Sequence, residues 1–425
     1  MVLGIDFGTS NSAAAIVQAD GHLCAIALDA GSASMPTALF FPSEDDQGAP
    51  VEYGNAALQA YLQGTPGRLM RSIKSLLGSS LMDEQTLVNG QPTSLFDIVV
   101  LFFKELKSRS EEFLGHPVHA AMLGRPVHFV DDDDARDAPA QATLERAARS
   151  AGFDAVQFQL EPIAAAFEFE RRVTTETTVL VVDIGGGTSD FSVIRVGPQR
   201  MSLADRSQDV LASAGTHIGG TDFDQLLSLR HVMPLLGLGH LGPGGREVPS
   251  SVFFNLSTWH LIHALYGRKS LHAARELKSL FADPTLHTRL MRVLNHREGH
   301  RILSHVEAAK IACSSLNAPT EIDLGCVERA LAALLTPVGL SQVLQQKVAQ
   351  IVQCARQCVT ASGLRAVDAV YLTGGSSALT PLGASLQATF SSASIVRGDR
   401  FGSVAAGLAT SGWASSRESS QLSNT

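Results

Sequence analysis

Two stretches of the chain, far apart, read almost alike. VLGIDFGTSNSAAAIV begins at Val2 and VLVVDIGGGTSDFSVI at Val179. Overlaid, Asp6 falls on Asp183 and Gly8 on Gly185, 177 residues further on, with apolar positions matching on both sides. Each stretch is an apolar run closing on an acid, a small-residue turn and a second apolar run, the pattern of two strands joined tightly. Such a repeat predicts a duplicated lobe, and two facing lobes predict a cleft between them.

The turn residues suit phosphate. Glycine exposes main-chain N–H groups to a polyanion and accepts the backbone angles of a tight hairpin. Gly8–Thr9–Ser10–Asn11 forms one candidate turn and Gly185–Gly186–Gly187–Thr188 the other, each with a hydroxyl as a further donor. Neither contains GxxxxGK[ST], and neither leads into the helix of a dinucleotide fingerprint. Phosphates bring Mg²⁺, which takes oxygen ligands and keeps several waters. Asp6 and Asp183, one at each strand end, are the candidate carboxylates, and Asp190 opens the outgoing strand. Two more glycine turns follow. Gly219–Gly220 precede Thr221–Asp222 and an apolar helix face, a helix start suited to anions. AVYLTGGSS carries Gly374, Gly375 and Ser376 at the end of an apolar strand.

Around these motifs, short β-type runs alternate with amphipathic helical ones, which predicts an α/β fold. Helical patterns cover residues 94–114, 135–151 and 343–362; residues 236–251 read as a loop, and the Ser-rich stretch from Ser411 as a disordered tail. The four aspartates Asp131, Asp132, Asp133 and Asp134 read as a solvated loop capping the helix after them. Composition excludes several classes. A net charge of −8 argues against nucleic-acid or membrane-surface partners. No apolar run reaches a membrane span, and a strand opening at Val2 leaves no room for a signal peptide, so a cytoplasmic location is expected. Of the five cysteines, Cys354 and Cys358 lie four apart on a helical pattern and read as packing residues. The fourteen histidines show no ligand spacing and read as a solvated helix surface; Trp259 and Trp413 read as packing residues.

Taken together, these motifs resemble the nucleotide-binding domain of the DnaK-type heat-shock chaperones, the heat shock protein 70 family of the actin-like ATPase superfamily. VLGIDFGTSNSAAAIV resembles the first phosphate hairpin, VVDIGGGTSDFSV the second phosphate motif, EPIAAAFEFE (161–170) the connecting helix, THIGGTDFD the turn after the second lobe's early strands and AVYLTGGSS the adenosine motif. The motifs run in family order from residue 2 to about 410, with least likeness over 228–305. The resemblance implies an α/β, actin-like ATPase fold of two duplicated lobes with a nucleotide cleft between them: a first lobe over 1–165 with an inserted subdomain around 35–115, and a second over 166–410 with one around 225–312. It implies ATP and Mg²⁺ as ligands and a chaperone-like ATPase with a protein partner or co-chaperone. Lys74, in RSIKSLLGSS before Gly78, takes the place of the lysine at the γ-phosphate; Glu161 that of the glutamate near the metal-bound waters; and Thr188 that of the γ-phosphate threonine. Asp6, Glu161 and Asp183 then hold the hydrated ion, and Thr9, Ser10, Gly185, Gly186 and Gly187 cradle phosphates. In VEAAKIACSS (306–315), Glu307, Lys310 and Ser314 match the nucleoside contacts.

The sequence departs from the family in two ways. Ile311 and Ala378 stand where two arginines usually sandwich adenine, which puts adenine selectivity in doubt. The chain also passes from FGSVAAGLATSGW into its Ser-rich stretch without room for a β-sandwich and lid, so it resembles the shorter members without a peptide clamp. Two other functions stay open: a non-catalytic or filament-forming nucleotide switch, and a small-molecule kinase on the same fold.

Overall fold

In the computed structural model the described residues are all but 44–49, 72, 78–81, 83, 89–90, 130–133, 202, 204–205, 399–401 and 423–425. Gly78 and Asp131–Asp133 therefore lie outside the described residues. Along the chain the elements used below are β1 (Val2–Phe7), β2 (Asn11–Val17), β3 (Leu23–Ala25), β4 (Ser34–Pro36), α1 (Leu95–Leu114), β5 (Ala120–Arg125), β6 (Ala155–Leu160) and α2 (Glu161–Ala165). They continue with β7 (Thr177–Ile184), β8 (Ser189–Val196), β9 (Val210–Thr216), α3 (Gly220–Leu227), α4 (Gly299–Leu316), α5 (Pro337–Ala361), β10 (Ala369–Thr373), α6 (Thr380–Thr389), β11 (Ser394–Arg397) and α7 (Ser403–Leu422).

The chain divides into two compact units. One contains Met1–Thr216, Cys354–Ser377 and Phe390–Thr425; the other contains His217–Gln353 and Ala378–Thr389. The boundary expected at 165/166 falls inside the first unit, which holds both large sheets. The first sheet runs β6-β5-β1-β2-β3 with β4 on β2, the second β9-β8-β7-β10-β11. Strands β6, β5 and β1 are parallel, then β2 and β3 antiparallel. Likewise β11, β10 and β7 are parallel, then β8 and β9 antiparallel. The repeat in the sequence is thus a repeat in topology, with β1–β2 and β7–β8 as equivalent hairpins.

Continuous apolar runs explain the central strands. Residues Val179–Val182 of β7 and all five residues of β10 are buried, as strands covered on both faces must be. Against the first sheet packs α1. Its first turn is capped by the Ser94 hydroxyl, which accepts from the Asp97 N–H at 3.0 Å. Gly115 ends it in the left-handed conformation. Its Phe102 and Phe103 meet Phe7 of β1, with ring centroids 5.7 and 5.0 Å apart. The pattern read at 135–151 is the helix Asp134–Ser150, and that at 343–362 is the longer α5.

The expected tail from Ser411 is instead helical as far as Leu422. The alanine-rich start of α7 lies on the alanine face of β2, where Ala13, Ala15, Ala405 and Ala409 are buried and Trp413 packs beside them. That anchorage carries the helix on through serines that would not hold one alone. The approach is close: a methyl added to Gly407 would lie 2.0 Å from the Ala164 carbonyl oxygen of α2.

The second unit corrects one reading. His287 and His300 are buried, not solvated; their Nε2 atoms lie 3.1 and 2.9 Å from the carbonyls of Ala274 and Trp259. Among the described residues no helix is long and apolar enough to cross a membrane.

Candidate functional site

Three of the four glycine turns converge within the first unit. The β7–β8 turn is closed by the Gly185 N–H donating to the Thr188 carbonyl at 2.9 Å. The β1–β2 turn lies against it so closely that a methyl on Gly186 would come 2.2 Å from the Ser10 hydroxyl oxygen. Behind both, Ser376 donates to the Gly185 carbonyl at 3.3 Å. Gly374 has a positive φ of 82°, and a methyl there would meet Asp183 Oδ1 at 2.2 Å and the Ile184 carbonyl oxygen at 2.5 Å. Only glycine meets both demands, conformational and steric. Gly187 has open space where a side chain would stand. Thr9 and Asn11 are half-buried in the first turn, and Gly375 is exposed beyond the third.

Acids gather beside these turns. Asp6 and Asp183 occupy matching positions near the ends of β1 and β7, and Asp183 pairs in register with Asp190 of β8. Thr188 donates to Asp190 at 3.0 Å. Lys74, in the helical turn Ile73–Leu76, reaches Glu161 at the start of α2, Nζ to Oε1 2.8 Å, with the side chains 12% and 17% exposed. Burial pushes the Asp6 carboxyl up to about 7, with repulsion from Glu161 adding to it and Lys74 opposing it. Burial likewise pushes Asp183 up to about 8, helped by Asp190, Asp6 and Glu161. Burial works to lower the Lys74 ammonium, yet Glu161, Asp6 and Asp190 hold it above its ordinary value. Four carboxylates around one ammonium leave the cluster short of positive charge.

A divalent cation fits that deficit. Among the described residues no group of three or more His, Cys, Asp or Glu side chains is arranged to bind a metal directly. The pairing of Lys74 with Glu161 spans 87 residues and left no local trace in the sequence.

The expected nucleoside residues lie in the second unit. Gly219 precedes α3, and its N–H donates to the Asp222 carboxylate at 2.9 Å. Buried Lys310 pairs with Asp224 at 2.8 Å and donates to the Gly220 carbonyl at 3.3 Å. Ser314 accepts from the Thr380 N–H at 2.9 Å and so caps α6. Both side chains are committed to partners of their own unit. Glu307 is exposed on α4, and Ile311 is 49% exposed. In the first unit, Cys354 and Cys358 direct their thiols at the carbonyls of Gly215 and Phe191, and burial pushes the Cys358 thiol up to about 11. This thiol is packed and inert.

Two sheets of one topology, each opening on an acid-ended hairpin with a glycine turn, define the actin-like ATPase fold. Residues 2–234, more than half of the chain, match the family described as Hsp70 protein, and the chain belongs to that family. It is similar to the chaperone protein DnaK of Thermosipho melanesiensis, 33% identical over 226 residues that make up 53% of this chain and 34% of the relative. It is also similar to the chaperone protein DnaK of Thermotoga neapolitana, 32% identical over 228 residues, 53% of this chain and 35% of the relative. The chain thus spans about a third of the length of the curated relatives it matches.

Proposed function

We propose that this chain is a chaperone-like ATPase that binds and slowly hydrolyses Mg·ATP, with lobe closure regulating a partner protein or co-chaperone. The observation that carries this reading is the convergence of three glycine turns on a half-buried acid cluster that, among the described residues, holds one lysine. Main-chain amides of Thr9, Ser10, Gly186 and Gly187 receive the phosphates, while the Gly185 N–H and the Thr188 hydroxyl, bonded to the Thr188 carbonyl and to Asp190, shape the second turn. Asp6, Glu161 and Asp183 would hold the hydrated Mg²⁺, which when bound would neutralise phosphate charge. Water attacks the γ-phosphorus and gives up a proton, a new P–O bond forms, the bond to the β,γ-bridging oxygen breaks, and ADP and inorganic phosphate leave. Such transfer depends mainly on positioning and charge stabilisation. Lys74, held in place by Glu161, steadies the charge that develops on the γ-phosphoryl oxygens.

The base end is weaker. Ile311 and Ala378 offer no cation to stack on adenine, and Lys310 and Ser314 already have partners. We infer a shallow preference for adenine over guanine. The same observation favours, as a second reading, a nucleotide switch with little or no turnover.

Calorimetric titration of ATP, ADP and GTP, with and without Mg²⁺, tests the proposal. Mg·ATP is expected to bind and to raise the melting temperature, as a ligand specific to the native state does; no heat with any nucleotide ends the proposal. Lys74→Ala separates the two readings. Turnover is expected to fall by about 10²- to 10³-fold while the Kd for Mg·ATP changes by less than about tenfold. Equal loss of both removes the catalytic role of Lys74, and no turnover in the unaltered chain leaves the switch.

A further inference from the structure

Thr37 lies between β4 and the strand Ala38–Pro42, and it is fully buried. It has no place in the motifs, yet it holds the β1–β2 turn by two bonds. Its hydroxyl donates to the Gly8 carbonyl at 2.8 Å, and its own N–H donates to the Ser10 carbonyl at 2.9 Å. The buried Ser12 hydroxyl lies 2.8 Å from Thr37 Oγ1. Since Thr37 gives its proton to Gly8, Ser12 donates to Thr37. The chain Ser12 to Thr37 to Gly8 thus leaves the Thr37 hydroxyl one direction in which to donate.

This fixes more than a contact. A trans peptide is planar, with its N–H opposed to its C=O, and there is no cis peptide bond among the described residues. Turning the Gly8 carbonyl in toward Thr37 therefore turns the Thr9 N–H outward. Turning the Ser10 carbonyl in does the same to the Asn11 N–H. Flanking geometry makes the arrangement stiff. Asn11 and Ser12 of β2 are in register with Pro36 and Met35 of β4, and a methyl on Gly8 would lie 2.1 Å from the Asn11 carbonyl oxygen.

We propose that Thr37 is a positioning residue for phosphate binding: its buried hydroxyl sets the peptide planes of the first glycine turn so that their N–H groups face the phosphates. This rests on the Mg·ATP reading above. Removing the hydroxyl leaves the Gly8 carbonyl and the Ser12 hydroxyl without their partner, at a cost the turn escapes by rotating its peptides.

The test is the Kd for Mg·ATP, by calorimetry, of the unaltered chain and of Thr37→Val, Thr37→Ser and Ser12→Ala. Thr37→Val, close in shape but without a donor, is expected to raise Kd by about ten- to a hundredfold. Thr37→Ser keeps the donor and is expected to restore Kd to within about threefold. Ser12→Ala leaves the bond to Gly8 and is expected to stay within about threefold. If Thr37→Val shows no cooperative melt, Thr37→Cys, whose thiol donates weakly, replaces it, with an expected rise of at least about threefold. An unchanged Kd in the valine or cysteine variant, or an equal loss in Thr37→Ser, overturns the role of Thr37 while leaving the nucleotide reading intact. Failure of the unaltered chain to bind overturns both.

Discussion

Asp183→Asn is expected to abolish the thermal protection given by Mg·ATP and, at neutral pH, to raise the melting temperature of the nucleotide-free chain. The two halves of this result oppose one another, which makes it diagnostic. In the free chain Asp183 is pushed up to about 8 by burial and by the acids beside it. Between about pH 4 and 8 the folded chain then keeps a proton that the unfolded chain gives up. The stability that protonation supplies is complete below about pH 4 and lost as the pH rises through about 8. Asparagine carries no such charge, so at pH 7.5 the variant is expected to be the more stable of the two when nothing is bound, and the decline from pH 4 to 8 becomes shallower. With Mg·ATP the unaltered chain gains about 2.7 kcal/mol at a ligand concentration of a hundred times Kd, whereas the variant gains little. Melting curves from pH 5 to 8, with and without Mg·ATP, read both effects. A variant that is still protected by Mg·ATP removes Asp183 from the site.

Arg206→Met carries the largest expected loss of stability. The Arg206 side chain is 4% exposed, and it donates to Glu170 at 2.9 and 3.1 Å and to Asp209. The Glu170 side chain, at 0% exposed, also accepts from the Gly197 N–H at 2.9 Å. This network ties the helical turn Phe167–Glu170, which follows α2, to the segment leading into β9. Removing the cation strands a carboxylate away from water, while Arg200 still faces Asp209. Breaking a buried pair in this way costs about 3–5 kcal/mol. Calorimetry is expected to show the first unit's transition at a lower temperature by several degrees. Adding Glu170→Leu to Arg206→Met is expected to recover part of the loss, because the stranded charge leaves with its partner. A single variant that melts within a degree of the unaltered chain refutes the account.

How much of this was legible in the residues follows from the range of the forces involved. The two hairpins were readable because each is a local pattern: apolar run, acid, glycine turn, apolar run. Their duplication extended to strand order, since equal hairpins joined to parallel strands give equal sheets. Lys74 and Glu161 were each identifiable by resemblance, but their bond spans 87 residues and no spacing encodes it. Lys310 and Ser314 likewise have partners that their motif does not announce. Their motif suggested nucleoside contacts, whereas the structure engages them with Asp224 and Thr380, partners brought near by packing. Thr37 escaped notice because one threonine in an apolar stretch has no signature. The serines after Ser411 looked unstructured by composition, but composition does not register the alanine face of β2 on which α7 rests.

That last contact has a consequence for how the protein is made. Strand β1 opens at Val2 and β2 ends at Val17, yet the helix covering their alanine face begins only at Ser403. During synthesis the earliest strands must wait, with an apolar surface open to water, until a segment translated much later arrives to shield it. Loop closure over such a span is slow, and half-covered sheets invite wrong associations. Nascent chains halted before Ser403 should therefore stay protease-sensitive in the first sheet and become resistant once α7 has emerged from the ribosome.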